Sequence, residues 1–361
     1  MRKKRTMKRF KFIAAATFMV LAAAISVIPA RTASADSTIG SASLGIIPRK
    51  DYIVTAGTSV KDTLSITNLD STAPLSLNLQ VIDFTYTGDS GTPKLMLSDT
   101  APQTAWSLKP YLTIPTSVVV PPGGSKTVNM SVAIPANVGA GSYYSAILYS
   151  TGAPGGGNVG LSASGVTLVF VTVPGLVNEN LTLKQFGAYN LSTQTSAPGY
   201  VTFAQNQPQG IGYTLKNSGN VTEAPVGTIT MEYMFGQKTN ITNVNSDSSL
   251  ALIGQTRTFT TCIKLQPETV DLNGQDTQST TCAVPNLWPG RYTLSLDVYY
   301  GLNGNTTKEV VGTSSFWYLP VWFDVTFIVV VLILAIVIWR LYVKIHLKLY
   351  GRTSRKSYRR K

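Results

Sequence analysis

Apolar residues recur at every second position in three long stretches of this chain, and a half-buried β-strand is the structure that this spacing suits. Leu75, Leu77, Leu79 and Val81 fall on one face of an extended segment, as do Val128, Met130, Val132 and Ile134, and again Tyr292, Leu294, Leu296, Val298 and Tyr300. Successive side chains of a strand point to opposite faces, so a period of two buries one face and leaves the other wet. Clusters of turn formers punctuate the alternation: "NLDSTAP", "TGDSGTP", "PPGG", "KNSGN", "DLNGQD", "NLWPG" and "GLNGN". Many short strands divided in this way predict β-sandwiches. The 285 residues from 36 to 320 suit two of them.

The two ends of the chain are different in kind. Residues 1–11 carry seven Lys and Arg, and an apolar stretch, "FIAAATFMVLAAAISVIPA", follows. With Ala33-Ser34-Ala35 after it, this reads as a secretory signal over residues 1–35, cut after Ala35. No cysteine follows the apolar stretch, which excludes a lipid-modified N-terminus. At the other end, residues 325–343 hold one charge, Arg340. Nineteen helical residues rise about 28 Å, which matches a hydrocarbon core of about 30 Å. Trp317, Tyr318, Trp322 and Phe323 precede the run, and Trp339 and Tyr342 close it, as interfacial aromatic belts do. The expected span is therefore 320–343, contacting the lipid bilayer through 325–343.

Charge then gives an orientation. Nine basic residues lie in 340–361, and cations that flank a span stay on the cytoplasmic side. The expectation is a single-pass protein of the cell membrane, with its sandwiches extracellular and a basic cytoplasmic tail at 344–361. The net charge of +13 belongs to the ends: between 36 and 339, thirteen basic residues meet all seventeen acidic ones, leaving −4. Such a middle offers no footprint for nucleic acid. Leu319-Pro320-Val321-Trp322-Phe323 lacks the Thr-Gly of a sortase signal, so the span is expected to be a permanent anchor.

The exported part repeats itself weakly. "DTLSITNLDSTAPLSLNLQV" and "GSYYSAILY" in the first half answer to "IGYTLKNSGNVTEAPVGTITMEY" and "GRYTLSLDVYYG" in the second, and Asn68 to Tyr143 spans the same 75 residues as Asn217 to Tyr292. The expected fold is mostly β: two tandem Ig-like antiparallel β-sandwiches, over 36–175 and 176–319, plus one C-terminal transmembrane α-helix. Gly123-Gly124 permits a tight turn. The pairs Gly141-Ser142-Tyr143 and Gly290-Arg291-Tyr292 put a tyrosine at the start of a late strand, where its hydroxyl can bond back to the main chain; Tyr143 and Tyr292 are therefore read as structural.

The order of "LGIIPRKDYIVTAGTSVKDTLSITNLDSTAPLSLNLQVIDFTY", "VVVPPGGSKTVNMSVAIPANVGAGSYYSAI", "PGRYTLSLDVYYG" and "FWYLP" before a terminal helix resembles the bacterial WxL-interacting surface proteins, over nearly the whole mature chain. The resemblance implies a first sandwich that binds cell-wall polymer (peptidoglycan), a second that binds another surface protein, and a helix that anchors both. It assigns no ligand residue to a position.

Chemistry is poorly supplied. The sole histidine, His346, lies beside the apolar run, so no exported Ser-His-Asp, Cys-His or zinc arrangement is available. Asp83, Asp89 and Asp99 could pair as glycosidase carboxylates but read as turn acids, and Asp271, Asn273 and Asp276 lack the calcium-loop spacing. No catalytic, metal or cofactor residue is expected, and the chain is read as a non-enzyme. Recognition remains. Trp106 and Tyr111, in "DTAPQTAWSLKPYLTIP", are candidates for stacking on a sugar face, with loop packing as the alternative. Cys262 and Cys282 suit one disulfide of an oxidising compartment, or two free thiols. Asn273-Gly274 reads as a hairpin turn whose strict pairing puts Cys262 opposite Pro285, so a bridge needs another register or a bulge. The function expected is surface attachment through binding, or a structural subunit of an envelope complex that binds no glycan.

Overall fold

A computed structural model describes residues 44–98, 104–151, 164–191, 197–272, 275–301 and 307–350. The expected leader, residues 1–35, and the end of the basic tail lie outside them.

Strands β1 (Leu44–Ile46), β2 (Arg49–Ile53), β3 (Ser59–Asn68), β4 (Leu75–Ile82), β5 (Phe84–Thr87), β6 (Thr92–Leu95), β7 (Leu112–Thr113), β8 (Ser117–Val120), β9 (Ser125–Ala133), β10 (Gly141–Ser150) and β11 (Ser164–Val173) come first. They build two facing sheets, β1-β3-β9-β7 and β2-β11-β10-β4-β8, and a separate β5–β6 hairpin. Strands β12 (Leu181–Asn190), β13 (Gly199–Tyr200), β14 (Phe203–Ala204), β15 (Gly210–Asn217), β16 (Val226–Tyr233), β17 (Lys238–Val244), β18 (Thr256–Cys262), β19 (Leu265–Leu272), β20 (Gln275–Cys282), β21 (Gly290–Tyr300) and β22 (Lys308–Tyr318) follow. Their sheets are β13-β12-β15-β18 and β14-β22-β21-β16-β17, again with a separate hairpin, β19–β20.

Alternation sets the inward faces. Leu77, Leu79, Val128, Met130, Val132 and Ile134 are buried in the first core; Tyr292, Leu294, Leu296, Val298 and Tyr300 are buried in the second. Each such side chain stabilises the fold by about 1.5–3 kcal/mol relative to leaving it in water. The sandwiches are not wholly antiparallel, however. β2 runs parallel to β11, and β14 runs parallel to β22. In the first sandwich the cause is local: Pro48 has no N–H to continue the ladder of β1, and the chain crosses there to the other sheet, where Pro48 accepts from Leu168 N–H at 2.9 Å.

The internal repeat is structural as well as textual. Asn68 ends β3 and Asn217 ends β15, and both are buried. Each side-chain oxygen accepts the N–H two residues on, Asp70 or Gly219, and each amide donates to a carbonyl further round the turn, Ala73 or Val221.

A third apolar cluster fuses the two sandwiches. Ile82, Phe84, Tyr86, Tyr144, Ala146 and Phe170 from the first pack against Leu250, Leu252 and Ile253 from the second. Ser142 N–H donates to Asn220 O at 3.0 Å, Thr222 N–H to Ser142 Oγ at 3.0 Å, and Arg49 Nη1 to Ser248 O at 2.7 Å.

Helix α1 (Val321–Tyr350) follows β22 after Leu319 and Pro320. Its segment Val321–His346 is long and apolar enough to cross a membrane, and none of it is buried against the protein. The helix runs past the expected end at residue 343. Nothing in Lys344–Tyr350 breaks a helix; the first glycine is Gly351.

Candidate functional site

Tyr143 and Tyr292 start their strands and reach back. Tyr143 OH donates to Gly139 O, four residues earlier, at 3.0 Å. Tyr292 OH donates to Trp288 O at 2.9 Å and accepts from Trp288 N–H at 2.9 Å. Burial pushes the Tyr292 phenol up to about 12, so it keeps its proton and stays a donor. The glycine two residues ahead of each has φ near +149°, a region side chains avoid, and a Cβ on Gly141 would meet Asn220 O at 2.7 Å.

Trp106 and Tyr111 do not form one stacking platform. Trp106 packs on the cluster between the sandwiches, whereas Tyr111 packs on the first core and edge-on against Tyr143, 6.1 Å between centroids. Of the acids weighed from sequence, Asp83 is buried and accepts from Ser107 Oγ at 2.7 Å and Ser145 Oγ at 2.9 Å. Asp99 and Asn273 lie outside the described residues. Among the described residues no group of three or more His, Cys, Asp or Glu stands together to hold a metal ion.

Cys262 and Cys282 are bonded, with Cα atoms 5.1 Å apart. The hairpin keeps its strict register, Leu272 opposite Gln275 and Leu265 opposite Cys282. Cys262 reaches Cys282 because the strand breaks at Ile263 and Lys264, which separate β18 from β19. Ile263 N–H goes to Gln209 O, and Ala283 N–H to Lys264 O. The disulfide thus ties an edge strand of the sandwich to the root of a hairpin whose described side chains are mostly exposed.

Beside that root lies the main candidate site, a groove of about 610 Å³ between two sheet edges, β17 and β18. Ile241 and Phe259 line its apolar wall, Thr242 and Thr260 its lips; Ser90 stands at one end, Leu265 and Thr280 at the other. Thr258 N–H points away from β15 and donates to Asp89 O of the β5–β6 hairpin at 2.7 Å. Strand alternation therefore turns the main-chain groups of Thr260 outward too. They find no partner among the described residues, which leaves a short length of open edge.

A second hollow, of similar volume, lies on the first sandwich. It is lined by Lys61, Thr63, Thr113, Asn129 and Ser131, with Met130 and Asp62 beside them. Asp62 accepts from Lys50 Nζ and Tyr52 OH, both at 2.5 Å, and these bonds hold its carboxyl down at about 2.

Two features gave no signal in the sequence. Arg257 lies across the sandwich junction, over the rings of Tyr86 at 4.9 Å and Phe259 at 5.1 Å, and donates to Tyr86 OH at 3.1 Å and Leu250 O at 2.6 Å. Glu223 is buried at the junction end of the second sandwich. One of its oxygens accepts from Gly301 N–H at 3.1 Å and the other has no partner among the described residues. Burial, opposed by that bond, raises its carboxyl to about 7, and burial raises buried Glu179 too.

No protein-family model matches the sequence, and no curated protein matches it. Solved structures similar to it include the class 5 fimbriae chaperone CfaA, at 11% identity over 77% of this chain and 100% of that one, with a TM-score of 0.33. The E. coli chaperone DraB is similar at 12% identity over 74% of this chain and 96% of that one, TM-score 0.30. The Pseudomonas aeruginosa CupB2 chaperone is similar at 10% identity over 73% and 96%, TM-score 0.29. With TM-scores this low, no function is carried over from them.

Proposed function

We propose that this chain is a non-catalytic cell-surface binding protein, held in the membrane by α1, with both sandwiches outside and the basic tail inside. The groove between β17 and β18 takes an extended segment of another surface protein, and the first sandwich contacts cell-wall polymer. The observation that carries this reading is the open edge at Thr260, above an apolar wall and beside a disulfide-rooted hairpin. An open edge offers main-chain bonds for affinity, and alternate side-chain pockets offer selectivity. For the wall, the hollow at Lys61, Thr63, Asn129 and Ser131 presents ammonium, hydroxyl and amide groups of the kind that bind a hydroxylated, acidic polymer.

A photo-crosslinker at Thr242, across the groove, tests the protein half in intact cells. It is expected to give one discrete envelope-protein adduct, lost on Thr260→Pro, which removes an outward N–H and no ladder bond. An absent adduct, or one indifferent to Thr260→Pro, counts against the groove. For the wall half, proteoliposomes carrying the full chain are expected to be retained on peptidoglycan sacculi, and Lys61→Glu to weaken retention.

The fused junction favours a second reading, a rigid spacer within an envelope complex that binds no glycan. Proteoliposomes that ignore sacculi while the Thr242 adduct persists would support it.

A further inference from the structure

The second sandwich has one end crowded with exposed apolar side chains, and it is the end from which the chain leaves for α1. β22 finishes at Tyr318, opposite Gly290, the first residue of β21; β16 finishes at Tyr233, opposite Tyr292; and Phe203 of β14 pairs with Trp317. Three segments therefore share that end: Phe203, the turn after Tyr233, and the loop before Gly290. They present Phe203 at 70% exposure, Phe235 at 77% and Trp288 at 70%, with Met234 beside them.

These tips are held out by the fold. The turn at Phe235 is closed by Gly236 N–H to Tyr233 O at 2.8 Å, and the Tyr233 hydroxyl is bound to Pro289 O at 2.8 Å. Both main-chain groups of Trp288 are taken by the Tyr292 hydroxyl. Side chains of this size held in water forgo the stabilisation of burial unless something covers them.

The connection to α1 says what covers them. Leu319 N–H still bonds Ala204 O at 2.9 Å, and Pro320 alone separates Leu319 from the helix. Two residues reach at most about 7 Å, so the sandwich cannot stand clear of whatever the helix enters. Lys238, Lys264 and Arg291 are exposed around the same end; Lys238 also pairs with Glu232 at 3.3 Å. Aromatic tips ringed by cations match a headgroup–acyl boundary, where Trp rings rest and phosphates meet Lys and Arg.

We infer that this end of the second sandwich docks on the outer lipid interface, with Phe203, Phe235 and Trp288 as the inserted side chains. The inference rests on the reading that α1 spans a bilayer. It adds that the sandwich sits on the membrane instead of swinging above it.

The full chain has two cysteines, bonded to each other, so a third can be labelled. An environment-sensitive fluorophore is placed on Phe235→Cys, on Trp288→Cys and, as a remote control, on Asn129→Cys. Each protein is reconstituted into vesicles of phosphatidylcholine or phosphatidylglycerol that contain lipid brominated near the head of the acyl chain. Quenching severalfold stronger at 235 and 288 than at 129, in both lipids, supports docking. Equal, weak quenching at all three sites in protein that resists alkaline extraction overturns docking and leaves anchoring intact. Release of the protein by alkaline extraction overturns the anchoring reading itself.

Discussion

Single residues carry consequences that pH and substitution expose. Glu223 keeps its proton in the folded chain to about pH 7, against an ordinary value of 4.5. Below 4.5 folded and unfolded chains both hold that proton and there is no penalty. Between 4.5 and 7 the unfolded chain releases it first, so stability falls as pH rises, by up to about 3 kcal/mol, and then levels off. Glu223→Gln is expected to remove this decline; the gap between wild-type and variant urea midpoints, measured from pH 4.5 to 8, should widen in favour of the variant. The two corner tyrosines differ in what they satisfy. Tyr143→Phe loses one hydrogen bond, worth about 1 kcal/mol. Tyr292→Phe also strands the Trp288 N–H and is expected to cost more, by about 1 kcal/mol in the same denaturation assay. Both tyrosines were legible in the sequence because a Gly-x-Tyr pair marks a local turn. Glu223 was not, because burial by distant chain leaves no trace in neighbouring residues.

Elements show the same divide. Strands with a wet face announced themselves by alternation, whereas the parallel pairings at β2 and β14 did not, since a strand of two to five residues carries too few periods to reveal its partner. Trp106 and Tyr111 were read together because they are close in sequence; the short 3-10 turn at Lys109–Tyr111 sends them to separate clusters. The hairpin β19–β20 was legible from Asn273-Gly274, but the break at Ile263 that lets Cys262 reach back was not. Closing about 20 residues stabilises a chain by roughly 3 kcal/mol in the loop-entropy account. Here the closed loop is almost wholly the hairpin itself, so the constraint is local. Reduction is expected to speed proteolytic cutting within 265–282 manyfold and to leave the sandwich cores protected, as limited proteolysis with mass mapping would show. Equal loss of both cores would mean that the bridge supports the whole fold.

At the scale of the molecule, the cluster of Phe84, Tyr86, Phe170, Leu250 and Leu252 makes the two sandwiches one body. Composition and spacing divided the chain at Pro174-Gly175 and gave no sign of this joint, because its residues come from segments far apart in the chain: the outer faces of β4, β10 and β11, the β5–β6 hairpin and the irregular stretch at Leu250–Ile253. A fragment ending at residue 175 would expose Phe84, Tyr86 and Phe170 to water and leave the Tyr86 ring without the Arg257 guanidinium. Such a fragment is expected to bind a hydrophobic dye and to melt at least several degrees below the intact chain. A fragment as stable as the whole would show the joint to be energetically idle. The joint matters most under load. β22 runs from the junction end straight into α1, with eleven cross-strand pairs to β21 along its length. A force that draws the second sandwich away from α1 travels down this strand parallel to its axis. All eleven pairs then resist together in shear instead of unzipping singly, so the tether holds under tension until a whole strand slides.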